Sequence, residues 1–169
     1  MKFDIARQPL IPAFMTLFAL AVAAMCAGIP VPDTSGAVRE ALPLLGGQLA
    51  RFQAAYPVWS KFAAGFMLLF AGMCTGRISI RYNLYTVGTC LPIPLYAIVA
   101  CGIATGGNYL AGFAASMLLA LATKNYCRAF CNGYGFDAIF RASLYLGLMP
   151  LIYAPALPLL LLLPLAVLL

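Results

Sequence analysis

A chain of 169 residues that is 64% hydrophobic and only 8% charged, with a mean hydropathy of +0.99, has too little polar surface for a water-soluble domain, in which about a quarter of residues are normally charged. Its net charge of +6, from 10 Lys and Arg against 4 Asp and Glu, forms no basic stripe with interleaved aromatics and argues against nucleic acid as a partner. With no histidine at all, a His-based triad, a His metal ligand and a histidine pH switch are excluded.

A membrane helix needs about 20 mostly apolar residues, and reading from charge to charge predicts an all-α, polytopic bundle of five spans. The first, residues 9–30, falls in the 25 uncharged residues between Arg7 and Asp33. Lys2 and Arg7 ahead of an apolar core, and "AAMC" at 23–26, also resemble a secretory or lipoprotein signal. Methionine before Cys26 fits lipoprotein processing poorly, and a multi-pass chain needs no removable signal, so retention is expected. An outer loop, 31–56, follows; within it "ALPLLGGQLA", 41–50, is too short to span and is expected to lie along the interface.

The second span, 57–76, is short between charges, but Lys61 can snorkel and Trp59 suits the interface. The sequence "GRISIRYNLY" then places Arg77 and Arg81 on one helical face. The 42 uncharged residues between Arg81 and Lys124 are twice a span's length, with Thr105, Gly106, Gly107 and Asn108 as a turn. They read as a helical hairpin, 82–104 and 108–123. In its first arm Pro92 and Pro94 are helix-break candidates that would free the carbonyls of Gly88 and Cys90, beside Asn83 and Thr89, as broken helices do in transporters. No Asp or Glu lies within any predicted span, which argues against coupling through a buried carboxylate. Gly72 with Gly76, Gly102 with Gly106, and Gly112 with Ser116 are spaced for close helix packing within one protomer.

The stretch "KNYCRAFCNGYGFDAIFR", 124–141, carries the last charges. Cys127 and Cys131 share a helical face, yet no second pair at zinc spacing accompanies them, so no metal is expected. Lys124 and Arg128 anchor a helix end among lipid phosphates, with Tyr126, Phe130 and Tyr134 in the interfacial zone. Gly133 and Gly135 are expected to break the helix, Asp137 to cap the next one and Arg141 to pair with Asp137 at i, i+4. The final span, 142–165, contains Pro150, Pro155, Pro158 and Pro164 and is expected to be kinked, with Pro150 and Pro155 the helix-break candidates.

Charge sidedness sets the orientation. With a cytoplasmic N-terminus, Lys2, Arg7, Arg77, Arg81, Lys124, Arg128 and Arg141 fall inside and Arg39, Arg51 and Lys61 outside, as the positive-inside rule requires. Arg77, Arg81, Lys124, Arg128 and Arg141 then gather at the cytoplasmic face. They become candidates for contact with an anionic headgroup or a phosphate.

The run "NYLAGFAASMLLALATKNYCRAFCNGYGFDAIFRASLYLGLMPLIYAPALPLLLLL", with its "FDAIFRA" helix start and "LGLMPLIYAPAL" continuation, resembles a family of multi-pass inner-membrane proteins of Bacteroidota defined by a domain of unknown function, over about residues 77–169. The resemblance implies a bacterial inner membrane and supplies no catalytic residues. Family members carry further spans, which implies a fragment or short form here.

The expected function is a non-enzymatic membrane subunit or transport-related component, with no cofactor, its partners being membrane lipids with anionic headgroups and other membrane-protein subunits. One alternative is a component handling lipid-linked or polysaccharide precursors at the cationic face. Another is a membrane scaffold without a small-molecule ligand.

Overall fold

The computed structural model describes residues 10–26, 43–82, 90–104, 108–131 and 135–161. Among them every regular element is helical: α1 Leu10–Cys26, α2 Leu44–Ala55, α3 Pro57–Arg81, α4 Pro92–Ala104, α5 Tyr109–Cys131, α6 Phe136–Ile152 and a 3-10 helix Ala154–Leu161. Only α3 is long and apolar enough to cross a membrane by length and composition, and Leu10–Ala23 is a shorter apolar helix. The expected all-α class is therefore observed, while five spans exceed what these helix lengths establish. Expectations for Lys2, Arg7, the loop 31–42, Asn83, Gly88, Thr89, residues 105–107, Gly133, Tyr134 and Pro164 lie outside the described residues.

Helix α3 organises the bundle through a face of small residues. A side chain at Gly65 would meet Met25 and one at Gly72 would meet Leu17, so α1 runs antiparallel to α3. Gly76 receives Ile93 and Gly72 also lies against Tyr96, so α4 is antiparallel to α3 as well. Leu17, Leu68, Ile93 and Ala97 close the core between these three helices. Two of the small positions expected to permit close packing, Gly72 and Gly76, therefore do so. Because a Cβ at Gly76 would overlap the branched side chain of Ile93, backbone-to-side-chain contact replaces the usual layer of interleaved side chains.

Helix α5 runs parallel to α3. Ser60 and Tyr109 meet near the start of both helices, their hydroxyls 2.6 Å apart, and Ala71 and Cys74 pack on Ala120 further along. Helix α6 returns antiparallel along α5, with Met149 and Ala156 against Ala115. The five longer helices thus alternate in direction along the chain.

Several boundaries correct the sequence reading. Helix α4 begins at Pro92, so Pro92 and Pro94 occupy its first turn, where a missing N–H costs nothing. The Cys90 carbonyl accepts the Ile93 amide at 3.0 Å and the Leu91 carbonyl the Leu95 amide at 3.3 Å; Pro94 therefore does not leave Cys90 unbonded. Helix α5 continues to Cys131 rather than ending at 123, because "TKNYCRAFC" contains no breaker. Helix α6 starts at Phe136 rather than 142. Asp137 sits in its first turn, while the residue preceding the helix is Gly135 and no side chain caps it. The expected kink becomes a termination: Pro150 lies two residues before the end of α6, Tyr153 closes the helix onto the Met149 carbonyl at 2.8 Å, and Pro155 falls within the 3-10 helix.

The apolar stretch near 41–50 enters α2, where Leu44 is 84% exposed. Gly46 abuts the Ile152 carbonyl, and buried Gln53 accepts the Leu110 amide at 3.4 Å. Tyr56, with φ −132° and ψ 70°, forms the elbow between α2 and α3, and Pro57 opens α3 with the φ that a first helical position requires.

Two outcomes follow from this packing. Gly72→Ile should lower stability by about 1–3 kcal/mol through overpacking against Leu17, read as a fall in thermal midpoint in detergent, whereas Gly147→Ala, where a Cβ meets nothing within 4 Å, should stabilise by up to about 1 kcal/mol. For Ser60→Ala and Tyr109→Phe we expect about 0.5–1.5 kcal/mol each, with the double variant losing less than the sum.

Candidate anionic-ligand site

Large apolar side chains lie on the outside of this bundle as well as in its core, where Phe113, Leu17, Leu68 and Ile93 are fully buried. Among the described residues the buried apolar set is dominated by alanine, while Phe18, Trp59, Phe66, Val99 and Phe136 stand in the open. An apolar exterior of this extent is far larger than the patches a soluble monomer exposes. Near the elbow, Phe52, Tyr56, Trp59, Phe62, Ala63 and Phe66 line an open apolar groove of about 550 Å³, with the Trp59 and Phe62 rings 6.5 Å apart.

At the opposite end, the parallel course of α3 and α5 brings their C-terminal turns to one level. Arg81 lies in the last turn of α3 and Arg128 in that of α5, where each cation offsets the negative end of its helix dipole. Two aligned helices place two such ends side by side, and their basic residues exceed what the dipoles require. The register of α3 on α5, with Ser60 against Tyr109 and Ala71 and Cys74 against Ala120, sets Arg77 and Lys124 at neighbouring levels of the helix pair, and both act electrostatically on the Cys74 thiol. Arg81 follows Arg77 by one turn and stands over the Tyr82 ring at 6.0 Å, and Arg128 follows Lys124 by one turn.

Arg141 is engaged differently. Its guanidinium grips Asp137 through Nε to Oδ1 and Nη2 to Oδ2, both at 3.1 Å, as the i, i+4 spacing predicts. The pair is largely exposed, and its charges cancel. Arg141 therefore contributes little free positive charge to the cluster.

Sequence reasoning missed the contacts that lock α5 into place. Tyr96 reaches Ser116 at 3.1 Å, Ser60 reaches Tyr109, and Gln53 reaches the Leu110 amide. A weak signal existed in the scarcity of such polar residues within apolar runs, since a buried polar atom needs a partner. At the cationic end the Ser79 and Tyr126 hydroxyls are buried without one. Ser79 follows Gly76 by three residues and lies on the glycine side of α3, away from Arg77 and Arg81.

Cys127 and Cys131 share a face as expected, Cys127 half-buried and Cys131 exposed, and both are free thiols. Burial pushes the Cys127 thiol above its ordinary range, and the neighbouring Cys131 pushes it further in the same direction. Both causes disfavour the thiolate, which is the reactive form. In detergent, alkylation of Cys127 should therefore lag that of Cys131 at neutral pH and accelerate only at a higher pH than a free cysteine requires, as peptide mass mapping across a pH series would read.

The chain matches no protein-family model, no curated protein and no solved structure.

Proposed function

We propose that this chain is a multi-pass protein of a bacterial inner membrane, crossing the bilayer five times with its N-terminus in the cytoplasm. It works there as a non-enzymatic membrane subunit or transport-related component whose cytoplasmic cations contact anionic headgroups. The observation that carries this reading is the number of large apolar side chains left outside a core rich in alanine. Water would drive Phe66, Val99 and Phe136 inward at about 25 cal/mol per Å² of apolar surface. Lipid removes that drive and leaves close packing of small residues as the attraction between helices. The alternating direction of α1, α3, α4, α5 and α6 supports five crossings, and the resemblance to the Bacteroidota membrane family over residues 77–169 supports the location.

A second reading, handling of a lipid-linked or polysaccharide precursor through its phosphate, is favoured by the convergence of Arg77 and Lys124 beside Cys74. Both readings place the cationic end in the cytoplasm.

Single cysteines at positions 58, 80 and 130, introduced into a background lacking the native ones, test the threading. An impermeant maleimide on intact cells should label Val58→Cys, and should reach Ile80→Cys and Phe130→Cys only after permeabilisation; the reverse pattern overturns the orientation. Recovery of folded protein from buffer without detergent would end the membrane reading. Extraction in mild detergent should recover a stoichiometric partner, and recovery of the chain alone would defeat the subunit role.

A further inference from the structure

One face of α3 looks outward along the whole helix. Trp59, Phe62, Phe66 and Phe70 are exposed along it, and the same face continues into the exposed Arg77 and Arg81. Steps of three, four, four, seven and four residues keep these six positions on one side of a helix. The Phe66 and Phe70 rings stack with centroids 6.3 Å apart and planes inclined by 22°, giving a flat apolar strip above the arginines. Lys124 is exposed on α5, and the register of the two helices, with Ser60 against Tyr109 and Cys74 against Ala120, brings it level with the turn of α3 that precedes Arg77.

The cations at one end of the strip point to its occupant. From Phe66 to Arg77 the helix rises about 16 Å, close to half of a hydrocarbon core of about 30 Å. The half of the face next to the arginines, cationic at one end and apolar for one leaflet's depth, complements a phosphate ester carrying an acyl chain. We propose that this face holds one anionic phospholipid of the cytoplasmic leaflet. Its phosphate lies between Arg77, Arg81 and Lys124, and one acyl chain runs over Phe70 and Phe66. This rests on the five-span reading above and adds a defined, single lipid to it.

Two alternatives fit less well. The upper half of the face, where Trp59 and Phe62 help line the aromatic groove, has no cation among the groove's described lining residues, whereas the lower half ends in two arginines on the face itself. A second copy of the chain meeting α3 face to face about an axis normal to the membrane would set Arg77 and Arg81 against their own counterparts, a like-charge contact that disfavours association.

The test uses the full chain, delipidated in mild detergent and titrated with dioleoylphosphatidylglycerol or dioleoylphosphatidylcholine under native mass spectrometry. One phosphatidylglycerol should be retained at least tenfold more tightly than phosphatidylcholine. Arg77→Gln with Arg81→Gln should abolish that preference, and Phe66→Ala with Phe70→Ala should weaken retention several-fold at unchanged charge. Trp59→Ala with Phe62→Ala should leave retention unchanged. All exchanged side chains are exposed, and a monodisperse elution profile checks that each variant remains folded. Glycerol 3-phosphate should not compete; full competition by it would show a free-phosphate site and overturn the lipid. Equal binding of both lipids, or indifference to the Phe66 and Phe70 exchange, also overturns the proposal, as does disulfide formation between two copies through Phe66→Cys. Each of these failures leaves the five-span threading standing, because that is decided separately by the labelling of positions 58, 80 and 130.

Discussion

The fold depends on how closely α1 and α4 can approach α3. Gly65, Gly72 and Gly76 remove the side-chain layer at three levels of one helix face, so that Met25, Leu17 and Ile93 lie directly on backbone. In apolar surroundings every backbone N–H and C=O is already satisfied within its helix, and hydrophobic burial no longer distinguishes inside from outside. Van der Waals contact is then the chief attraction left, and it falls off steeply with distance. The alanines of α5 and α6 extend the same solution to the second half of the bundle.

Much of this was legible from the chain. The apolar runs located the helices because charge and Gly/Pro punctuation delimit them, and the Asp137–Arg141 pair was legible because its spacing is local. Boundaries were less so. A charge-based limit stopped α5 at residue 123, although Lys124 and Arg128 are good helix formers that simply project from its last turns. Pro92 and Pro94 read as interruptions until the start of α4 was known, since the same residues are benign in a first turn. The common direction of α3 and α5 followed from alternating spans, but their adjacency could not be read: Ser60 and Tyr109 are separated by 49 residues, and nothing in a single apolar run marks which neighbour it will face. That pairing decides which predicted cations meet. Arg77 and Lys124 come to neighbouring levels of the helix pair, and Arg141 is held instead by Asp137.

The parallel alignment also sets the electrostatic character of the molecule. Two helix C-termini at one level concentrate negative dipole ends that Arg81 and Arg128 offset, leaving Arg77 and Lys124 as surplus positive charge beside the thiol of Cys74. The opposite end carries Trp59, Tyr56 and Phe52 around the elbow, beside the cations Arg51 and Lys61. Among the described residues the aromatic groove thus lies at one end of the bundle and the paired helix C-termini with their cations at the other.

The elbow has a mechanical side. Gln53 on α2 caps the Leu110 amide at the beginning of α5, and Gly46 on the same helix is seated against the carbonyl that ends α6. Swinging α2 about Tyr56 would strand an amide and expose a carbonyl at once. The short helix thus lies as a latch across the start of α5 and the end of α6, tying together two helices that run in opposite directions.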